Sequence, residues 1–84
     1  MRKPEVGDFT IIISNNKSLG LYRDKVGFIS NIFETFYFVK YNNSNGGVDT
    51  VPVYNIDDVK FFSSDREECV RMLPFISDMI KYNL

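Results

Sequence analysis

The sequence predicts a mainly β fold with one C-terminal helix, which places the chain in the α+β class. Short runs of β-branched and aromatic residues alternate with clusters of turn-forming residues as far as residue 63, and such alternation is typical of strands. Beyond that point the apolar residues recur at three- and four-residue spacing, as in an amphipathic helix. The chain has 84 residues, 44% of them hydrophobic, so we expect a single domain near the lower size limit for a self-sufficient core.

Five strands are predicted, and the segments that connect them are rich in Asn, Gly and Ser. The longest connection covers residues 14–24, and the clearest loop, 42–47, is built only from Asn, Ser and Gly, which are residues that favour turns. Pro52 has no N–H, so it is expected on an edge strand or at a strand end. Several short strands at this spacing favour a small barrel or a sandwich. The predicted strands are residues 9–13, 25–33, 36–41, 48–53 and 58–62.

The helix is predicted over residues 64–82. Ser64, with Glu67 three residues later, fits a capping box at its start. Pro74 lies inside the helical pattern and is expected to kink the helix or to divide it in two. The apolar stripe of this helix consists of Cys69, Met72, Leu73, Ile76, Met79 and Ile80.

Three segments resemble KOW-type and related Src-homology-3-like barrels. Val6-Gly7-Asp8 precedes the first strand, and Gly27 is followed by apolar residues two and five positions later. Residues 53–59 are similar to the short turn and final strand of such barrels. The resemblance covers residues 6–62 and implies a five-stranded Src-homology-3-like barrel, which the Pro-interrupted helix would cap. Members of this group bind RNA, DNA, ribosomes, RNA polymerase or protein peptides, so the resemblance implies binding.

The residues needed for common catalytic and metal chemistry are scarce. The chain has no His and one Cys, so it lacks an imidazole base, a Cys–His nucleophile pair and the usual zinc ligands. The adjacent carboxylates at 57–58 and 67–68 are interpreted as a turn and the first turn of the helix. Cys69 on the apolar stripe is interpreted as a small buried hydrophobe. We therefore expect no enzyme activity, no catalytic or metal-binding residues and no cofactor.

Charge and composition give further expectations about location. The net charge is −1 and the pI is near 5.2, which disfavours nucleic-acid binding driven by overall charge. One Cys suits a reducing compartment, and no signal peptide or membrane-spanning run is recognisable. We expect a cytoplasmic protein that does not bind membranes. Abundant Ile, Asn, Lys, Phe and Tyr are typical of AT-rich genomes such as those of many bacteriophages or low-GC bacteria. For a phage-encoded chain the location would be the host cytoplasm.

The first candidate binding surface is the long connection between the first two strands. Lys17, Arg23 and Lys25 surround it, with Tyr22 between them, and the corresponding loop of KOW-like barrels contacts nucleic acid. The alternative interpretation is an ordinary solvated loop.

The second candidate is an aromatic platform on the third strand. Phe36 and Phe38 point to one face of that strand and Tyr37, Val39 and Tyr41 to the other. One face should enter the core. The other is expected to be covered by the apolar stripe of the helix, or else to be exposed to a base or a protein side chain.

The third candidate is the helix itself. Met72, Ile76, Met79 and Ile80 would suit a partner or a second copy of the chain across a two-fold axis. Self-association through the strand edge near Pro52 is the alternative. If instead the helix covers the barrel, a chain ending at Phe62 should unfold or aggregate.

Two functional hypotheses follow. The first is a non-catalytic protein-binding module, a small effector or inhibitor that acts on a host enzyme or transcription component. The alternative is a KOW-like nucleic-acid-binding protein that uses the loop around residues 17–25.

Overall fold

The structure is a computed structural model that describes residues 2–15 and 17–82, with the side chains of residue 18 and residues 79–82 left outside the description. Five strands form one antiparallel sheet, and the chain ends in a helix, so the predicted α+β class is confirmed. The elements are β1 (Phe9–Ile12), α1 (Lys17–Gly20), β2 (Gly27–Ile32), β3 (Tyr37–Asn42), β4 (Val48–Val53), a 3₁₀ turn (Ile56–Asp58), β5 (Val59–Ser63) and α2 (Arg66–Tyr82).

The strand order in the sheet is β4-β3-β2-β1-β5. The first four strands form a meander, and β5 returns to pair with β1 on the other side. β4 and β5 are thus the edges, and Pro52 lies in the edge strand β4, as expected of a residue without an N–H. The short helix α1 was not predicted, because its four residues Lys17–Gly20 lie in a segment of turn formers and are too few to show a helical period.

The two faces of the sheet bury two separate apolar clusters. Register shifts between Ile11 and Ile12 in β1, and between Ile29 and Asn31 in β2, are of the kind that bends a sheet. The inner core lies on one face and consists of Ile12, Leu19, Ile29, Val39, Tyr41 and Val53. The helix core lies between the other face and α2 and consists of Ile11, Ile13, Cys69 and Ile76.

Helix α2 packs on β1 and β5, so the prediction that it covers the third strand was wrong. The reason is the connection: only Ser64 and Asp65 separate β5 from α2. A link that short places the helix beside β5 and its neighbour β1, two strands away from β3. Ile11 of β1 and Ile13, the residue directly after β1, are buried at 0% and 6% exposure. The sequence analysis identified them only as part of a β run.

The start of α2 differs by one residue from the predicted capping box. The side chain of Asp65, not that of Ser64, accepts a hydrogen bond from the Glu67 N–H at 3.0 Å, which makes Asp65 the N-cap. Ser63 Oγ accepts from the Asp65 N–H at 3.0 Å and donates to Glu68 Oε2 at 3.3 Å. These bonds fix the turn between the last strand and the helix.

Pro74 lies inside α2, which continues to Tyr82 as one helix. The helix is therefore not divided. A proline has no N–H to donate to the residue four positions earlier, so the carbonyl of Val70 lacks its usual helical partner. Within the described residues, no helix combines the length and the apolarity needed to cross a membrane.

The N-terminal arm is tied to the sheet by a buried carboxylate. Asp8 is 4% exposed and accepts two hydrogen bonds from the Arg2 guanidinium, at 2.6 and 3.2 Å, and one from the Glu5 N–H at 2.9 Å. These contacts, the bond from Arg2 above all, hold the pKa of Asp8 below its usual value despite its burial. The Arg2 guanidinium also lies 4.9 Å from the centre of the Phe62 ring.

We expect Gly27→Ala to be strongly destabilising, because the inner core closes directly against this glycine. A Cβ at position 27 would overlap Val39 Cγ1 and would lie 2.8 Å from Tyr41 Cζ. Forcing a methyl group into a packed core costs about 1–3 kcal/mol of unfolding free energy. Gly20→Ala is the control, since a Cβ there would meet no atom within 4 Å. Urea unfolding of both variants checks the prediction, and equal midpoints would contradict it.

Shortening the side chains of two neighbouring residues of α2 should change the stability of the fold by very different amounts. Ile76 is 5% exposed in the helix core, whereas Phe75 is 69% exposed. We expect Ile76→Ala to lower the unfolding free energy by about 2–4 kcal/mol and Phe75→Ala to change it by less than about 0.5 kcal/mol. Thermal or urea unfolding measures both. If the larger loss came from Phe75→Ala, the docking of the helix described above would be wrong.

Candidate functional site

Four aromatic side chains at one end of the sheet form a continuous surface, the aromatic patch. Phe33 stacks on Phe36 with ring centroids 4.7 Å apart, and Phe38 meets both rings edge-on at 5.3 Å. Tyr54 packs against Phe36 with centroids 5.4 Å apart. Such arrangements stabilise aromatic clusters beyond the burial of their area.

The local fold of three segments brings these rings together. Between β2 and β3, the Phe33 N–H donates to the Phe36 carbonyl at 2.8 Å, so a tight turn places the two side chains side by side. Phe38 lies opposite Pro52 of β4, and directly paired residues project from the same face of a sheet. Tyr54 follows the last residue of β4 and reaches the same surface.

The patch is partly open to solvent. Phe33 is 43% exposed and Tyr54 is 69% exposed, while Phe36 and Phe38 are half-buried. Val39 and Tyr41 are buried in the inner core at 0% and 1% exposure. The predicted division of the third strand into two faces is therefore confirmed, and α2 lies over β1 and β5.

Phe33 and Tyr54 were missed by the sequence analysis. For Phe33 a signal existed, because a tight turn over residues 33–36 brings its first and last side chains together. Tyr54 gave no comparable signal, since it reaches the patch only through the pairing of β4 with β3. The charge around the patch is sparse and negative: Glu34 is the single charged residue among residues 31–38 and 52–56.

The predicted binding loop is organised around Tyr22, whose ring is already engaged. Its ring stacks on Tyr41 with centroids 4.5 Å apart and planes 21° apart, and its hydroxyl donates to Asp49 Oδ2 at 2.9 Å. Lys25 Nζ lies 5.9 Å from the Tyr22 ring centre. Lys17 is exposed in α1 and Arg23 is half-buried. The structure thus brings Tyr22 and Lys25 together and joins the loop to β4.

The contacts of Tyr22 and Asp49 shift the pKa values of both groups. Hydrogen bonds from the Asn43 amide, at 3.0 Å, and from Tyr22 hold the pKa of Asp49 below its ordinary value. The same bond to Asp49 raises the pKa of Tyr22. Burial raises the pKa of Tyr41, whose hydroxyl has no hydrogen-bond partner within the described residues.

The four residues predicted to form a helix interface fall into two pairs. Met72 and Ile76 pack against the sheet in the helix core, so their side chains are occupied while α2 is docked. The side chains of Met79 and Ile80 lie outside the described residues. The described apolar side chains that α2 exposes are Val70 and Phe75, at 40% and 69%.

No group of three or more Cys, Asp and Glu side chains that would hold a metal ion occurs among the residues described. Cys69 is fully buried in the helix core, as its place on the apolar stripe predicted. Burial raises the pKa of its thiol, which disfavours the reactive thiolate.

The hydrogen bond from Tyr22 to Asp49 should make the stability of the fold depend on pH. A carboxylate whose pKa is lowered on folding stabilises the fold above its unfolded pKa, near about 4, and this contribution is lost as the pH falls through the folded value. We expect Tyr22→Phe to raise the pKa of Asp49 towards its ordinary value and to weaken the dependence of stability on pH below about 4. NMR titration of the Asp49 carboxyl measures the shift, with Tyr37→Phe as the control. An unchanged Asp49 pKa in Tyr22→Phe would show that this hydrogen bond does not form in solution.

Comparison of the chain with protein-family models, with curated protein sequences and with solved structures gives no match.

Proposed function

We propose that this chain is a non-catalytic protein-binding module, a small effector or inhibitor that docks on another protein through the aromatic patch. The observation on which the proposal depends is the solvent exposure of Phe33 and Tyr54, at 43% and 69%, within a cluster of four touching rings. Aromatic side chains are enriched at the centres of protein interfaces. Burying a large apolar side chain stabilises a complex by about 1.5–3 kcal/mol, so two exposed rings make a useful anchor.

The surroundings of the patch favour a protein over a nucleic acid. A surface that stacks bases is normally accompanied by Lys or Arg side chains that contact phosphates. The charged residue in the turn of the patch is Glu34, and Asp57 and Asp58 follow closely after Tyr54. Lys40, two residues from Phe38 on β3, is the nearby cation, so carboxylates outnumber cations in these segments. These carboxylates would repel a phosphate backbone, whereas an apolar or basic protein surface would meet no such cost.

The proposal includes a Src-homology-3-like barrel as the scaffold. The strand order β4-β3-β2-β1-β5 and the 3₁₀ turn Ile56–Asp58 between β4 and β5 support it. The bends at the register shifts in β1 and β2 support curvature towards a barrel.

Nucleic-acid binding by the loop around residues 17–25 is the alternative. The exposed positions of Lys17 and Lys25 support it. The stacking of Tyr22 on Tyr41 and the nearby Asp49 carboxylate weigh against it, because this ring face is occupied and the local charge is mixed.

Affinity capture with a double variant of the patch tests the proposal. We expect Phe33→Ser with Tyr54→Ser to lose a partner protein that the unaltered chain retains, because both exposed rings are removed. Phe75→Ser is the matched control, since Phe75 is as exposed as Tyr54 but lies on α2. Nuclease treatment separates protein partners from those held through nucleic acid. Equal capture by the double variant and the unaltered chain, or capture that nuclease abolishes, would contradict the proposal.

A further inference from the structure

A groove of about 490 Å³ lies between α2 and the outer face of the sheet. Its apolar lining comes from both sides: Phe9 and Phe28 from the sheet, and Val70 and Leu73 from the helix. Phe28 is 38% exposed and Val70 is 40% exposed, so part of this apolar surface remains open to solvent.

Two exposed cations line the groove from different elements. Lys40 lines it from β3 and Arg66 lines it from the first turn of α2. Both are exposed. Within the described residues neither makes an ion pair, and the ion pair that the description contains joins Arg2 to Asp8.

The other two charged residues of the groove, Lys25 and Asp24, have opposite charges that offset each other. Lys25 lines it too, but this side chain also lies over Tyr22 and lowers the pKa of Asp49. Asp24 contributes one carboxylate to the lining. The excess positive charge therefore comes mainly from Lys40 and Arg66.

β3 carries one residue of the aromatic patch, Phe38, and one residue of the groove, Lys40. Phe38 and Lys40 are two residues apart on the same strand, so their side chains project from the same face about 7 Å apart. Lys40 pairs with Thr50, and Phe38 with Pro52, in the neighbouring edge strand. This half of the outer face is not where α2 packs.

We propose that the groove binds an acidic, amphipathic peptide segment of a partner protein. An aromatic or aliphatic side chain of the segment would enter between Phe28 and Val70, and flanking carboxylates would pair with Lys40 and Arg66. The guanidinium of Arg66 is suited to a carboxylate, which it can contact through two parallel hydrogen bonds.

Charge complementarity decides between a peptide and a nucleic acid at this site. A nucleic acid presents phosphates at regular spacing and is held by several cations along a track. Here three cations, Lys25, Lys40 and Arg66, surround one apolar depression instead of following a track, and the Asp24 carboxylate lies within the same lining. That arrangement matches one apolar side chain with a carboxylate on either side of it. The groove and the aromatic patch consist of different side chains. The proposed binding to the groove can therefore be refuted without refuting the proposed function of the patch.

Selection of random short peptides displayed on phage, with the folded full-length chain as target, tests the proposal. We expect the enriched peptides to contain two or more Asp or Glu residues beside an aromatic or aliphatic residue. Lys40→Glu and Arg66→Glu should each weaken the binding of the corresponding labelled synthetic peptide about tenfold, since each replaces an attraction by a repulsion. Lys3 is exposed and does not line the groove, so Lys3→Glu makes the same charge change elsewhere and should leave the affinity unchanged.

Several results would overturn the proposal. They are a failure to enrich any peptide, enriched peptides without an excess of acidic residues, or an equal loss of affinity in Lys3→Glu. Tighter binding of an oligothymidylate than of the peptide at the same cations would assign the groove to nucleic acid. Loss of peptide binding in Phe33→Ser with Tyr54→Ser, but not in Lys40→Glu or Arg66→Glu, would place the peptide on the aromatic patch and refute the groove while sparing the proposed function.

Discussion

The burial of β1 on both of its faces is the constraint on which the rest of this structure depends. Ile11 and Ile12 are adjacent in the chain, point to opposite sides of the sheet and are exposed by 0% and 1%. Ile12 belongs to the inner core and Ile11 to the helix core. A strand buried on both faces needs a cover on each. Residues of α1, β2, β3 and β4 in the inner core pack against one face, and α2 covers the other.

This arrangement also determines which surface remains free. Only two residues separate β5 from the helix. The helix therefore covers the β5–β1 side of the outer face. The β3–β4 side is left with Phe38 and Lys40 as outward residues. The aromatic patch reaches this uncovered half through Phe38, whereas the groove lies along the helix, which forms one of its walls. Both positions follow from where the helix starts.

The sequence predicted the elements better than their mutual placement. Five strands, the C-terminal helix and the two faces of β3 could be derived from local patterns, because strand and helix periods are properties of short segments. The place where α2 docks could not, since the stripe Met72–Ile76 is equally compatible with any apolar sheet face. Ile11 and Ile13 held the decisive information, but a run of three isoleucines does not show that both of its faces are buried. The same limit applies to the candidate site. Phe36 and Phe38 were predicted from alternation on one strand. The place of Tyr54 in the patch, and the lining of one groove by both Lys40 and Arg66, depend on contacts between distant segments of the chain.

The buried position of Cys69 gives the chain an internal reporter of helix docking. Its thiol is fully enclosed between α2 and β1 and is the single cysteine of the sequence. A thiol reagent can reach it only when the helix separates locally from the sheet, so the labelling rate, relative to that of a free cysteine, measures how often this separation occurs. Because α2 forms one wall of the groove, a ligand that joins Lys40 to Arg66 would hold the helix against the sheet. Binding of a ligand in the groove would then slow the labelling of Cys69, although the ligand does not contact this sulfur atom.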